Sequence, residues 1–102
     1  MDFLRDLFEQ APCPPAQRDE VGRLVNELIK IGRTDDFLSE RPGTPFNLQC
    51  RHARGREIGV RLNDIGGVPL MEYVQFKIRR KLTPTLAAHL GYCWSDIGKW
   101  IP

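Results

Sequence analysis

The sequence predicts an all-α fold, and three observations carry that prediction. Apolar residues recur at spacings of three and four along most of the chain, no segment alternates with period two for long enough to demand a strand, and the breaks fall at Gly, Pro or Thr-Pro positions that start and stop helices. The expected architecture is a compact orthogonal bundle of four main helices with one or two short ones. With 102 residues, there is room for one domain spanning 1–102, its first 15 residues forming a loosely attached helix and Pro-rich connector.

The elements follow in order. Residues 2–10 place Phe3, Leu4, Leu7 and Phe8 on one face of a helix that Pro12, Pro14 and Pro15 then stop. That helix either docks on the domain's own core or is offered to a partner's groove. Its polar face is mostly acidic, which argues against an anionic membrane.

Residues 16–31 form the clearest helix, with Val21, Leu24, Val25 and Leu28 as a stripe that Ile29 and Ile31 broaden. Asp19 and Glu20 favour its start, Lys30 and Arg33 its end, and Gly32 is placed to terminate it. Thr34 then reads as the N-cap of a short helix, with Asp35 and Asp36 in its first turn and Phe37 and Leu38 as anchors. The adjacent carboxylates have the composition of an acid/base pair, but helix-start electrostatics accounts for them more simply.

After the Pro- and Gly-rich loop 41–47, Ile58, Leu62 and Ile65 predict a helix from about Leu48 to Ile65, ended by Gly66 and Gly67. Gly55 and Gly59 lie inside it four residues apart, at a cost of roughly 1 kcal/mol each relative to Ala. Such a cost is tolerated where another backbone must approach closely, so a tight helix crossing is expected on that face. Pro69 opens the next helix, to about Leu82, whose apolar residues go nearly all the way round and mark it as the most buried. Thr83 and Pro84 cap a last helix reaching about Gly98, with Leu86, Leu90, Cys93 and Ile97 as its stripe.

A seven-residue echo links Glu20 to Asn26 (EVGRLVN) with Glu57 to Asn63 (EIGVRLN), 37 residues on. Such an offset falls in the range of helical repeats. The run from Arg56 to Gly98, with a first helix ending DIGG, a second opening VPLMEYV and a third ending WSDIG, resembles one armadillo-type repeat. That resemblance covers less than half the chain and implies an armadillo/HEAT-like stack that binds proteins. Asp96 stands where the family tends to carry a peptide-clamping Asn, and a carboxylate cannot donate as an amide does.

Composition narrows the function. No apolar run approaches the roughly 18 residues of a membrane helix, and Asp2, Arg5, Asp6 and Glu9 interrupt any secretory h-region. A cytoplasmic protein with no membrane association is expected, and three unpatterned cysteines favour reduced thiols. The net charge of +2 is uneven: residues 1–50 carry six Lys/Arg against nine Asp/Glu, and residues 51–81 eight against three.

Four groups of residues are candidates for function. His89, Tyr92, Asp96 and Trp100 recur at steps of three or four on the last helix and have the composition of a protein-binding surface, though Tyr92 and Trp100 are also amphipathic core formers. Arg51, Arg54, Arg61, Lys77, Arg79, Arg80 and Lys81, with His52 and Arg56 among them, form the alternative, a nucleic-acid surface. Against it, the would-be recognition helix presents Pro69, Leu70, Met71 and Glu72 to base edges. Cys50, His52, His89 and Cys93 are a chemically sensible zinc set, but Cys-x-His on a helix diverges by about 200°. His89, Cys93 and Asp96 share one helix and so do not converge on a substrate as a nucleophile set must. The reading favoured by the sequence is a non-enzymatic helical module, without cofactor, that binds an unidentified protein partner.

Overall fold

In the computed structural model the described residues are 11–34, 36–37 and 46–102, side chains of 46–48 apart. Among them there is no strand, and three helices follow a 3₁₀ turn at Pro15–Gln17: α1 (Arg18–Thr34), α2 (Phe46–Lys81) and α3 (Pro84–Cys93). The expected helix over 2–10, the anchor Leu38 and Asp35 lie outside the described residues.

α1 starts and ends later than its sequence signals suggest. Gly32 does not terminate it, because Leu82 and Phe37 pack directly onto that glycine and a Cβ there would lie 2.4 Å from Leu82 Cδ1. Thr34 is not an N-cap either: it belongs to α1, and its hydroxyl donates back to the Lys30 carbonyl. Asp36 instead closes a turn by accepting the Phe37 N–H at 2.6 Å, which sends the fully buried Phe37 ring under the end of α1.

α2 is helical on both sides of Gly67, where the backbone leaves the helical region at φ 67° and ψ −160°. Only glycine occupies that region without strain, so the break falls at the second glycine of the expected pair. Pro69 fits two residues later, since a first helical turn has no use for its missing N–H. The first arm (46–66) pairs with α1; the second (68–81) carries Leu70, Met71, Val74 and Ile78 into the core. It is less uniformly buried than its composition suggests, for Phe76 remains 45% exposed. Thr83 caps α3 as expected, its hydroxyl oxygen accepting the Leu86 N–H at 3.1 Å with Pro84 in the first turn.

α3 stops at Cys93, five residues short of the expected Gly98. The chain turns through Trp94 and Asp96, the latter at φ 69°, a conformation that Asp tolerates better than most residues. Trp94, the C-cap of α3, still donates its N–H to the Leu90 carbonyl and sits buried on the first arm of α2. Its indole N–H donates to the Gly55 carbonyl at 3.0 Å. A Cβ on Gly59 would lie 2.4 Å from Trp94 Cδ1, and one on Gly55 3.3 Å from Cys93 Sγ. The Gly55 and Gly59 face is tightly packed, but by the side chains of Cys93, Trp94 and Ile97 at and beyond the end of α3 rather than by the backbone of a crossing helix. Trp100 completes it, packing edge-on against Trp94 at 5.2 Å between ring centroids.

Two glycine substitutions test this packing with opposite signs. Gly22 has nothing within 4 Å of a would-be Cβ, so Gly22→Ala should stabilise the fold by up to about 1 kcal/mol through helix propensity. Gly59→Ala gains the same propensity, yet it must displace a buried, hydrogen-bonded indole, and net destabilisation of about 1–3 kcal/mol is expected. Urea midpoints for the two variants check both.

Candidate functional site

The acidic first half and basic middle of the chain meet between α1 and the first arm of α2. Arg61 grips Glu20 through two bonds of 2.6 and 2.8 Å, and Arg54 grips Glu27 through two of 2.8 and 2.9 Å while reaching Glu57 at 3.1 Å. Both rungs join residues seven apart, two helical turns, so the helices run antiparallel and the echoing segments at 20–26 and 57–63 lie side by side in opposite directions. Hydrogen bonding to arginine holds the Glu20 and Glu27 carboxyls below their ordinary value, partly offset by desolvation, and Glu27 raises Arg54 in return.

These pairs bear on the nucleic-acid surface, for two of its seven residues are committed to α1. Arg56 serves as a cap for α3, donating to the Cys93 and Ser95 carbonyls at 2.8 Å each, where a cation also meets the negative end of the helix dipole. Lys77 lies over the Tyr73 ring and Arg80 over Phe76. Arg79 and Lys81 are exposed, and Arg51 is half-buried. The basic residues thus spread over several environments and do not form one stripe.

The four residues of the zinc set separate as well. Cys50 is exposed and Cys93 buried. The Cys93 thiol points at the His52 carbonyl at 3.6 Å, His52 Nδ1 donates to the Phe37 carbonyl, and His89 Nδ1 donates to the Asp36 carboxylate at 2.8 Å. His52, His89 and Cys93 thus have partners within the chain, and among the described residues no three His, Cys, Asp or Glu side chains converge as a metal site would require. Burial pushes the Cys93 thiol up to about 11, against a smaller opposing pull from Arg56. A thiol so raised is a poor nucleophile at neutral pH.

The protein-binding stripe is divided by the early end of α3. Trp100 is 7% exposed, and its indole N–H donates to the Gly91 carbonyl at 2.8 Å; it is a core residue, which corrects its assignment to an exposed surface. His89 is half-buried and tied to Asp36. Tyr92 is 58% exposed on the last turn of α3, and Asp96 is exposed in the turn beyond.

A cleft of about 430 Å³ opens beside this face, between the second arm of α2 and the start of α3. Glu72, Gln75, Phe76 and Arg79 form one wall; Pro84 and Ala88 stand opposite. Apolar residues that go nearly all round the helix, Phe76 among them, predict a core position for it. The signal that it faces out is the pair of charges, Glu72 four residues before it and Arg79 three after it, on the same helical face.

Compared with known protein families, curated proteins and solved structures, the chain matches none.

Trp100→Ala should cost about 3–5 kcal/mol, as removal of a buried aromatic does, whereas Tyr92→Ala should shift stability by less than about 0.5 kcal/mol; thermal melts of the two variants discriminate core from surface. Alkylation at pH 8 under native conditions should label Cys50 first and leave Cys93 protected until denaturant is added, read by peptide mass mapping.

Proposed function

We propose that this chain is a small, non-enzymatic, cytoplasmic protein-interaction module whose partner docks on the outer face of α3. The observation that supports it is the exposure of Tyr92, an aromatic ring more than half open to water on a helix end that is otherwise fixed. Trp94 and Trp100 pin that end from below, and Arg56 holds its terminal carbonyls. A rigidly mounted Tyr gives a large contact area at low entropic cost, and its hydroxyl keeps a polar handle. Asp96, one turn on, accepts hydrogen bonds only, so a partner offering an apolar pocket beside N–H donors fits best.

The finer architecture belongs to the same reading. With the two arms of α2 taken separately, α1, both arms and α3 make a four-helix bundle. The break at Gly67 and the cap at Thr83 divide residues 56–98 into three successive helical stretches, in line with the resemblance to one armadillo-type unit. The nucleic-acid alternative draws less support, because Arg54 and Arg61 already neutralise Glu27 and Glu20.

The test is a photo-cross-linking amino acid at position 92, irradiated in native lysate with and without nuclease, and compared with the same residue at the exposed position 26 of α1. A discrete protein adduct at 92 alone, unaffected by nuclease, is the expected result. Adducts equal at both positions, or lost with nuclease, would count against the Tyr92 face.

A further inference from the structure

The charges of the α2 cleft are arranged to meet a copy of themselves. Glu72, Gln75, Phe76 and Arg79 occupy positions i, i+3, i+4 and i+7 of the second arm, hence one face of about 10 Å along the helix axis. Order along that face is acid, amide, aromatic, base. Several charged groups are paired within the chain: Glu20 with Arg61, Glu27 and Glu57 with Arg54, and Asp36 with the His89 imidazole. Among the described residues no hydrogen bond or ion pair engages Glu72 or Arg79, though both line the cleft with the half-open Phe76 ring between them.

We propose that this face is a self-association surface, on which two copies pack their second arms antiparallel about a two-fold axis passing between Gln75 and Phe76. About that axis Glu72 of one copy falls opposite Arg79 of the other, and the reciprocal pair forms by symmetry, while the two Phe76 side chains meet at the centre. An isologous contact requires self-complementarity of this kind, and a charge sequence that reads acid to base in one direction supplies it only when the helices run in opposite directions. A uniformly acidic or basic partner would leave one of the two charges opposed by its like. The small apolar side chains of Pro84 and Ala88 across the cleft leave room for the partner's ring. A contact made by one face of a single helical arm, with exposed charge pairs at its ends, suits a weak, salt-sensitive dimer rather than an obligate one.

This surface does not include Tyr92, so it stands or falls separately from the docking face on α3: cross-linking at position 92 reports on one, charge exchange in α2 on the other. Sedimentation velocity of the full chain over a range of concentrations should show a monomer–dimer equilibrium that weakens with salt. Glu72→Arg and Arg79→Glu should each raise the dimer dissociation constant by about tenfold or more, since like charges would then face each other. The double variant Glu72→Arg with Arg79→Glu should recover dimerisation, and so should an equimolar mixture of the two single variants. Both positions are exposed or at the cleft rim, and circular dichroism verifies that each variant is folded; Glu72→Gln and Arg79→Gln serve as milder versions should either reversal disturb the helix. A monomer at every concentration, a dimer indifferent to the single reversals, or failure of the double variant and the mixture to recover it would overturn the assignment.

Discussion

The seat of Trp94 on the glycine face of α2 is the constraint on which the rest of the molecule depends. A fully buried indole must bring its N–H to an acceptor, because an unpaired polar group in the core costs about 1–3 kcal/mol. Gly55 supplies the carbonyl at 3.0 Å, and the missing side chain of Gly59 supplies the room. α3 ends at Cys93 with Trp94 as its cap, and the turn that follows brings Ile97 and Trp100 back against the same seat. Arg56, one residue beyond Gly55, then binds the carbonyls that this early ending leaves open. One contact thus ties together the end of α3, the path of the tail and the burial of Trp100.

That arrangement explains how so small a domain holds an exposed aromatic rigidly. Tyr92 lies two residues before Trp94, and Gly91, which accepts the Trp100 N–H, lies one residue before Tyr92. The surface position is bracketed by core contacts on either side in sequence. At the other end of α3, the Thr83 cap and the short connection from Lys81 set the helix against the second arm of α2, and the cleft beside Phe76 is the space left between them.

Electrostatics plays a second role, that of alignment. The exposed bidentate pairs of α1 with α2 contribute modestly to stability, but they occupy matching two-turn intervals and so favour one register of the antiparallel pair over its neighbours. Their carboxyls are held below the ordinary value of 4.5; what the pairs contribute is therefore present above that pH and is lost as the pH falls through the lowered values. The unequal charge of the two halves of the chain, which invites an acidic or polyanionic partner when read along the sequence, is in good part an internal match.

Local signals in the sequence determined a good deal: the all-α class, the stripe of α1, the break at Gly66-Gly67, the Thr83-Pro84 start of α3 and the need for a close approach at Gly55 and Gly59. Each rests on steric or hydrogen-bonding properties of a few adjacent residues, which act wherever the chain places them. What lay beyond the sequence were the outcomes decided by distant partners. Gly32 continues α1 because Leu82 and Phe37 cover it, α3 ends early at a buried indole whose acceptor lies 39 residues away, and Trp100 joins the core while Tyr92, on the same expected stripe, does not. Periodicity extrapolates a helix at constant pitch and assigns faces accordingly. Only the tertiary structure could decide where the helix gives way to a folded-back tail, and with it which aromatic residues are buried and which stay exposed.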